Sequence, residues 1–230
     1  MPRKPESEVM DDPAGVESYA SAAAQKYLDS LDDVMVAQVM ALVSEAGPVS
    51  GRLLDVGCGP GGITLKIARK APHLRVIGVD YSMGMMRCAR HAAEEQGLSE
   101  RARFVQGDGN ALCLPSASFD YVISNSVLHH LADPRQALRE MARVARPRGA
   151  LLVRDLCRPS RPLFLPHVWW HGRYYSGLMK KLYRDSVQAA YTVEELQGLL
   201  ASAGLEEAGV FEEHRTHLGF VWRLSGPGVA

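Results

Sequence analysis

The chain has 230 residues, 47% of them hydrophobic and 23% charged, with 26 Lys and Arg balanced by 26 Asp and Glu. That length suits one globular domain with a full-sized core. The even charge counts against a nucleic-acid partner, which is bound through a basic excess, and no apolar run approaches the ~18 residues of a membrane span.

Cys58, Cys88, Cys113 and Cys157 show no close pairing. They suggest neither a metal site nor a disulfide framework, and fit a reducing cytoplasm. Residues 1–15, opening "MPRKPESEVMDDP", lack the apolar core of a signal peptide and read as a disordered tail. The rest, 16–230, reads as one domain. From Tyr19 to about Ala46 apolar residues recur at helical spacing (Leu28, Leu31, Met35, Val39, Leu42), and Gly47-Pro48 ends that helix, giving an N-terminal helical cap over 16–48.

Strand and helix patterns then alternate over 50–156. Strands are predicted at Arg52–Val56, Arg75–Val79, Arg103–Gln106, Phe119–Ser124 and Ala150–Asp155, the last entered through a turn at "RPRG". Helices are predicted at Ile63–Lys70, Met83–Gln96 and Pro134–Ala145. Such alternation gives an α/β fold, a doubly wound and mostly parallel sheet with helices on both faces. Residues 157–191 break the rhythm. Rich in proline and aromatics, they read as a long irregular lid inserted after the fifth strand. Thr192 and Glu195 form a capping box for a helix to Ala203, Gly204 ends it, and strands near Glu207–Glu213 and His217–Leu224 close a seven-stranded sheet.

The segment "LLDVGCGPGG" at 53–62 ends the first strand on four glycines and carries one acid, Asp55. A phosphate-binding loop would need a lysine where Ile63 stands, so that reading fails. A dinucleotide fingerprint is satisfied by Gly57, Gly59 and Gly62, with Asp80 ending the next strand, and an NAD-dependent oxidoreductase stays open. A third ligand, S-adenosylmethionine, has an ammonium that gives Asp55 a use the other two lack.

Four stretches in order, "LLDVGCGPGG", "VIGVDYS", "FVQGDGNALCLPSASFD" and "ALREMARVARPRGALLVRD", resemble the motifs of class I S-adenosylmethionine-dependent methyltransferases, closest to the small-molecule branch that includes the ubiquinone/menaquinone C-methyltransferases. The resemblance spans about 50–156 and implies a Rossmann-like fold with S-adenosylmethionine as cofactor and S-adenosylhomocysteine as product. It implies that Asp55, Gly57, Cys58 and Gly59 line the methionine end. Asp80 would take the ribose, with Tyr81 and Ser82 beside the nucleoside. Asp108 would take the adenine amine, with Gly109 and Asn110 alongside, and Ser124 or Asn125 would flank the sulfonium. Asn110 departs from the alanine common in the family, and "SAS" after Leu114-Pro115 lacks an aromatic often found there.

The implied reaction is methyl transfer to a small-molecule acceptor. A protein that binds the same cofactor for other chemistry or sensing stays open, since fold alone does not fix function. No catalytic base is named by the pattern; His129, His130, Tyr19 and His171 are candidates. Acceptor contacts are expected from the cap and the lid, with Tyr27, His167, Trp170, Arg173, Tyr175, Arg184 and Tyr191 as further candidates. The aromatics of "HVWWHGRYYSGLMKKLYRD" also fit lid packing or contact with a membrane surface.

Overall fold

The computed structural model describes residues 2–5, 22–45, 50–131 and 133–224, and the side chains of 22–28 fall outside that description. Seven strands are numbered β1 (Gly51–Val56), β2 (Leu74–Asp80), β3 (Ala102–Gln106), β4 (Phe119–Asn125), β5 (Ala145–Leu156), β6 (Gly209–Glu213) and β7 (His217–Arg223). The helices are α1 (Ala22–Glu45), α2 (Gly62–Lys70), α3 (Met83–Glu95), α4 (Pro134–Val144), α5 (Arg161–His171), α6 (Gly177–Ala189) and α7 (Val193–Ala203), with 3-10 turns at Leu128–His130 and Gly172–Tyr174.

The strands form one sheet in the order β3-β2-β1-β4-β5-β7-β6. β1 to β5 run parallel, while β7 is antiparallel to both β5 and β6. Neighbouring residues on the central strands serve opposite faces. Leu53 packs among α1, α2 and α3, whereas Leu54 packs among α4 and α7, and both are fully buried. Burial on both faces makes a continuous apolar run the right sequence for such a strand. Truncating either leucine to alanine would cost about 2–5 kcal/mol. Strand order reverses between β1 and β4, which opens a crevice at their C-terminal ends.

The elements follow local chemistry. Ser82 caps α3 by accepting from the Met85 N–H at 3.2 Å, so Asp80 is left for other work. Pro134 opens α4 behind the cap Asp133. Thr192 and Glu195 form the expected box at α7, and Gly204 leaves that helix in the left-handed region.

Two expectations need correction. The turn at 146–149 is absorbed into a longer β5, whose pairing with β4 shifts register between Phe119 and Tyr121. The lid is helical, not irregular. Pro162 sits in the first turn of α5, where its missing N–H costs nothing, and Phe164 and Val168 bury one stripe of that helix beside Val187 of α6. Pro166 also lies within α5. Of the tail at 1–15, residues 2–5 are described: Arg3 Nε donates to the Ala189 carbonyl at 2.6 Å, and its guanidinium lies 4.2 Å from the Tyr191 ring centroid. The rest of the tail lies outside the described residues.

Candidate functional site

The crevice is a cavity of about 660 Å³ lined by Asp32, Asp55, Gly57, Gly59 and Asn125, among others. β1 delivers the glycine loop to its floor. The N–H groups of Gly57 and Cys58 donate to the Val79 carbonyl at 2.7 and 3.1 Å, which pins the loop to the end of β2. Gly57 has φ +76°, and a Cβ there would stand 2.2 Å from Val127 Cγ2. Only glycine meets both demands.

Asp55 is fully enclosed, and its Oδ2 accepts from the Thr64 hydroxyl at 2.6 Å. Burial pushes its carboxyl up to about 7. The Thr64 hydroxyl opposes this, and the like charges of Asp32 and Asp80 reinforce it. Asp32 arrives from α1, its Oδ2 so near that a Cβ on Gly62 would lie 2.7 Å away. Its carboxyl rises to about 6, again chiefly through burial, with Lys66 opposing and Asp29 and Asp33 adding to the rise. Lys66 is held by the neighbouring acids, at 2.6 Å from Asp29 and 2.9 Å from Asp33. This end of the crevice therefore holds two carboxyls raised above their ordinary range, chiefly by burial.

Asp80 spans the next strand end. One oxygen accepts from Gly59 N–H at 2.8 Å and the other from Ser82 N–H at 2.9 Å. Tyr81 is exposed and Ser82 is buried in its capping role. After β3, Asp108 accepts from the Asn110 N–H at 2.8 Å, while Asn110 Oδ1 is enclosed with no hydrogen-bond partner. Gly109 lies between them, where an added Cβ would stand 3.3 Å from Val56.

Other expected residues land differently. Ser124 is fully buried and donates to the Val56 carbonyl at 2.8 Å, so its hydroxyl ties β4 to β1. Asn125 lines the crevice instead, its amide oxygen accepting from Arg154 at 3.2 Å. Burial raises the Cys58 thiol well above its ordinary value, which removes it as a nucleophile.

His129 is buried, not exposed at the mouth. Its Nδ1 lies 2.5 Å from Asp155 Oδ1, and its N–H donates to the other oxygen at 3.2 Å. Burial would raise Asp155, but the imidazole charge and its hydrogen bond win, and the carboxyl lies below its ordinary range. His130 is half-buried and stacks on His129 with ring centroids 4.0 Å apart. Tyr19 and the Tyr27 side chain lie outside the described residues. His167 and His171 stack at 4.6 Å, and burial lowers the first to about 4. Tyr175 and Tyr191 are buried, whereas Trp170, Arg173 and Arg184 face outward. Among the described residues no cluster of three or more His, Cys, Asp or Glu could hold a metal ion.

Asp32, Arg154 and Asp155 escaped the sequence reading. For Asp32 a signal exists: it falls in line with Val36, Val39 and Val43 on the buried stripe of α1, where a carboxylate is out of place.

The donor implied by the family fits these residues. Asp55 is an enclosed acid without an opposing cation among the groups acting on it, and a Cβ added at Gly59 would meet no atom within 4 Å, so the loop faces open space.

Comparison with known proteins agrees. Residues 54–153 match the family model described as a methyltransferase domain. A demethylmenaquinone methyltransferase of Thermus thermophilus is 33% identical over 163 residues, covering 66% of this chain and 73% of that protein. One from Roseiflexus castenholzii is 35% identical over 136 residues, 59% of this chain, and the match spans only 56% of that relative's length. Among solved structures, the plantazolicin methyltransferase BpumL in complex with a pentazolic desmethylPZN analog and SAH superimposes with TM-score 0.72 at 14% identity, covering 93% of this chain and 92% of that one, a likeness of fold. With its sheet order, its glycine loop and these relatives, the chain belongs to the class I S-adenosylmethionine-dependent methyltransferases.

Proposed function

We propose that the chain transfers a methyl group from S-adenosylmethionine to a small, hydroxylated aromatic acceptor of the quinol type, at ring carbon or oxygen. The observation that carries the donor half is the buried carboxylate of Asp55 at the end of β1, which lines the crevice together with the half-buried Asp32 of α1 and suits a cation. The acceptor class rests on the relatives named for demethylmenaquinone and on the aromatic lid.

When bound, S-adenosylmethionine supplies an electrophilic methyl on a sulfonium whose thioether is already a good leaving group. Asp55 and Asp32 would accept the ammonium of its tail. Asp80, at the end of β2, would accept from the ribose hydroxyls, and Asp108 with Asn110 would take the base. Asn125, steadied by Arg154, would line the reacting end. What remains for the chain is alignment and exclusion of water, and alignment of this kind supplies ~7–11 kcal/mol. α1, α5 and α6 would do that work. The His129–Asp155 pair fixes the turn after β4, and the half-buried His130 beside it would be the candidate to receive an acceptor proton.

The test is label transfer from methyl-labelled donor to a hydroquinone that lacks one ring methyl, run beside a panel of phenols and amines. Labelled quinol is expected, and its formation should fail with Asp55→Asn. Stabilisation by S-adenosylhomocysteine with no labelled product on any acceptor would point to a donor-binding protein of another kind. Stabilisation by NAD alone would overturn the donor assignment itself.

A further inference from the structure

α5 is built inside out. At 100° per residue, Leu165, Trp169, Pro162, Pro166, Trp170 and Leu163 fall in that angular order over an arc of about 160°. Every one of the six is exposed and none is charged. Leu165 and Trp169 are each 67% exposed, Trp170 53% and Leu163 51%. The opposite side holds His167 and His171 together with the buried Phe164 and Val168. A surface helix normally turns its apolar arc to the core and its polar arc to water. Here much of the apolar arc faces out.

The charge of the segment that carries that arc is one-sided. Between residues 157 and 191 the chain places six Lys or Arg and a single acid, Asp185, although the whole chain is neutral. Arg161, Arg173, Lys180, Lys181 and Arg184 are exposed. Arg173 sits over the Trp170 ring at 4.1 Å and the Tyr174 ring at 4.3 Å, so cation and aromatics share one level.

We propose that this face docks on the surface of an anionic lipid bilayer, with α5 lying in the interfacial plane. Indole, leucine and proline would enter the headgroup boundary while the surrounding cations meet lipid phosphates. The charge decides the occupant. A second copy would bring the same cations against these, and a nucleic acid would leave the leucines unused. α5 has 11 residues, and among the described residues no helix is long and apolar enough to cross a membrane, so contact is peripheral. This inference does not depend on the acceptor proposed above.

The experiment is flotation of the full chain with vesicles of phosphatidylcholine alone and of phosphatidylcholine with phosphatidylglycerol. Binding to the anionic vesicles should exceed that to neutral ones by about tenfold or more and weaken with salt. Leu165→Ala with Trp169→Ala should lower it by about tenfold at an unchanged melting temperature, since both side chains are exposed. Should that pair melt low, Trp169→Gln alone serves, with brominated lipid as a quencher of tryptophan emission in the unaltered chain. Three outcomes overturn the proposal: no flotation with either vesicle, anionic binding indifferent to both variants and to bromine, or a dimer in solution that the same variants dissociate.

Discussion

Asp55 and Asp155 occupy matching places, each near the C-terminal end of a central parallel strand and each almost wholly buried, yet they differ in charge state. Asp155 has His129 at 2.5 Å and stays below its ordinary range. Asp55 has only a hydroxyl, and rises to about 7. A buried carboxylate is stable as an anion when its partner is built in, whereas one left with like charges around it is held toward its neutral form. Asp155 belongs to the scaffold, and Asp55 is the acid proposed to meet the ligand.

The sharpest way to break this contrast is Asp155→Asn. It strands the His129 ring beneath the turn, and a loss of about 3–5 kcal/mol in stability is expected by urea unfolding. Asp55→Asn should behave in the opposite way. Donor affinity should fall by about 10–150-fold, the worth of one charged hydrogen bond, read by calorimetry. The ligand-free protein should meanwhile gain stability at alkaline pH. The folded-state value of about 7 lies above the ordinary 3.8, so the stability Asp55 contributes is full below about 4 and is lost as pH rises through 7. Asparagine, which does not titrate, removes that slope.

The pH dependence of donor binding sharpens the comparison further. Asp55 faces Thr64, Asp32 and Asp80, while Asp32 faces Lys66, Asp29, Asp33 and Arg154. Below about pH 7 affinity should fall by up to ~10-fold per pH unit as Asp55 takes a proton. Binding near pH 6.5 should release protons, visible when heats are compared in buffers of different ionisation enthalpy. Asp32→Asn removes a half-buried charge and should weaken the donor only about 2–5-fold. The smallest effect is expected from Thr64→Val. Without its hydroxyl, Asp55 should titrate higher still, moving the affinity profile toward alkaline pH by less than about one unit.

The glycine loop and its flanking strands were legible because their chemistry is local. A buried strand, a glycine loop and an acid at the next strand end lie within 28 residues, from Leu53 to Asp80. The turn after β4 depends on long-range pairing. His129 and Asp155 stand 26 residues apart and meet only because β4 and β5 are neighbours. His129 therefore read as a candidate base, and nothing in the sequence showed that it is buried against Asp155. The lid misled through its prolines, which suggested irregular chain although Pro162 is harmless in a first turn. Asp32 was missed because a helix registers its carboxylates by sequence spacing alone, and nothing in that spacing names a partner on another element.

The contact between Gly57 and Val127 has a genetic consequence. Any side chain at 57 must displace Val127, and behind it the turn that carries His129 and His130. A lesion in the glycine loop would thus also disturb the turn after β4. Compensating changes should be sought first at position 127, where a smaller residue would return the space though not the left-handed backbone.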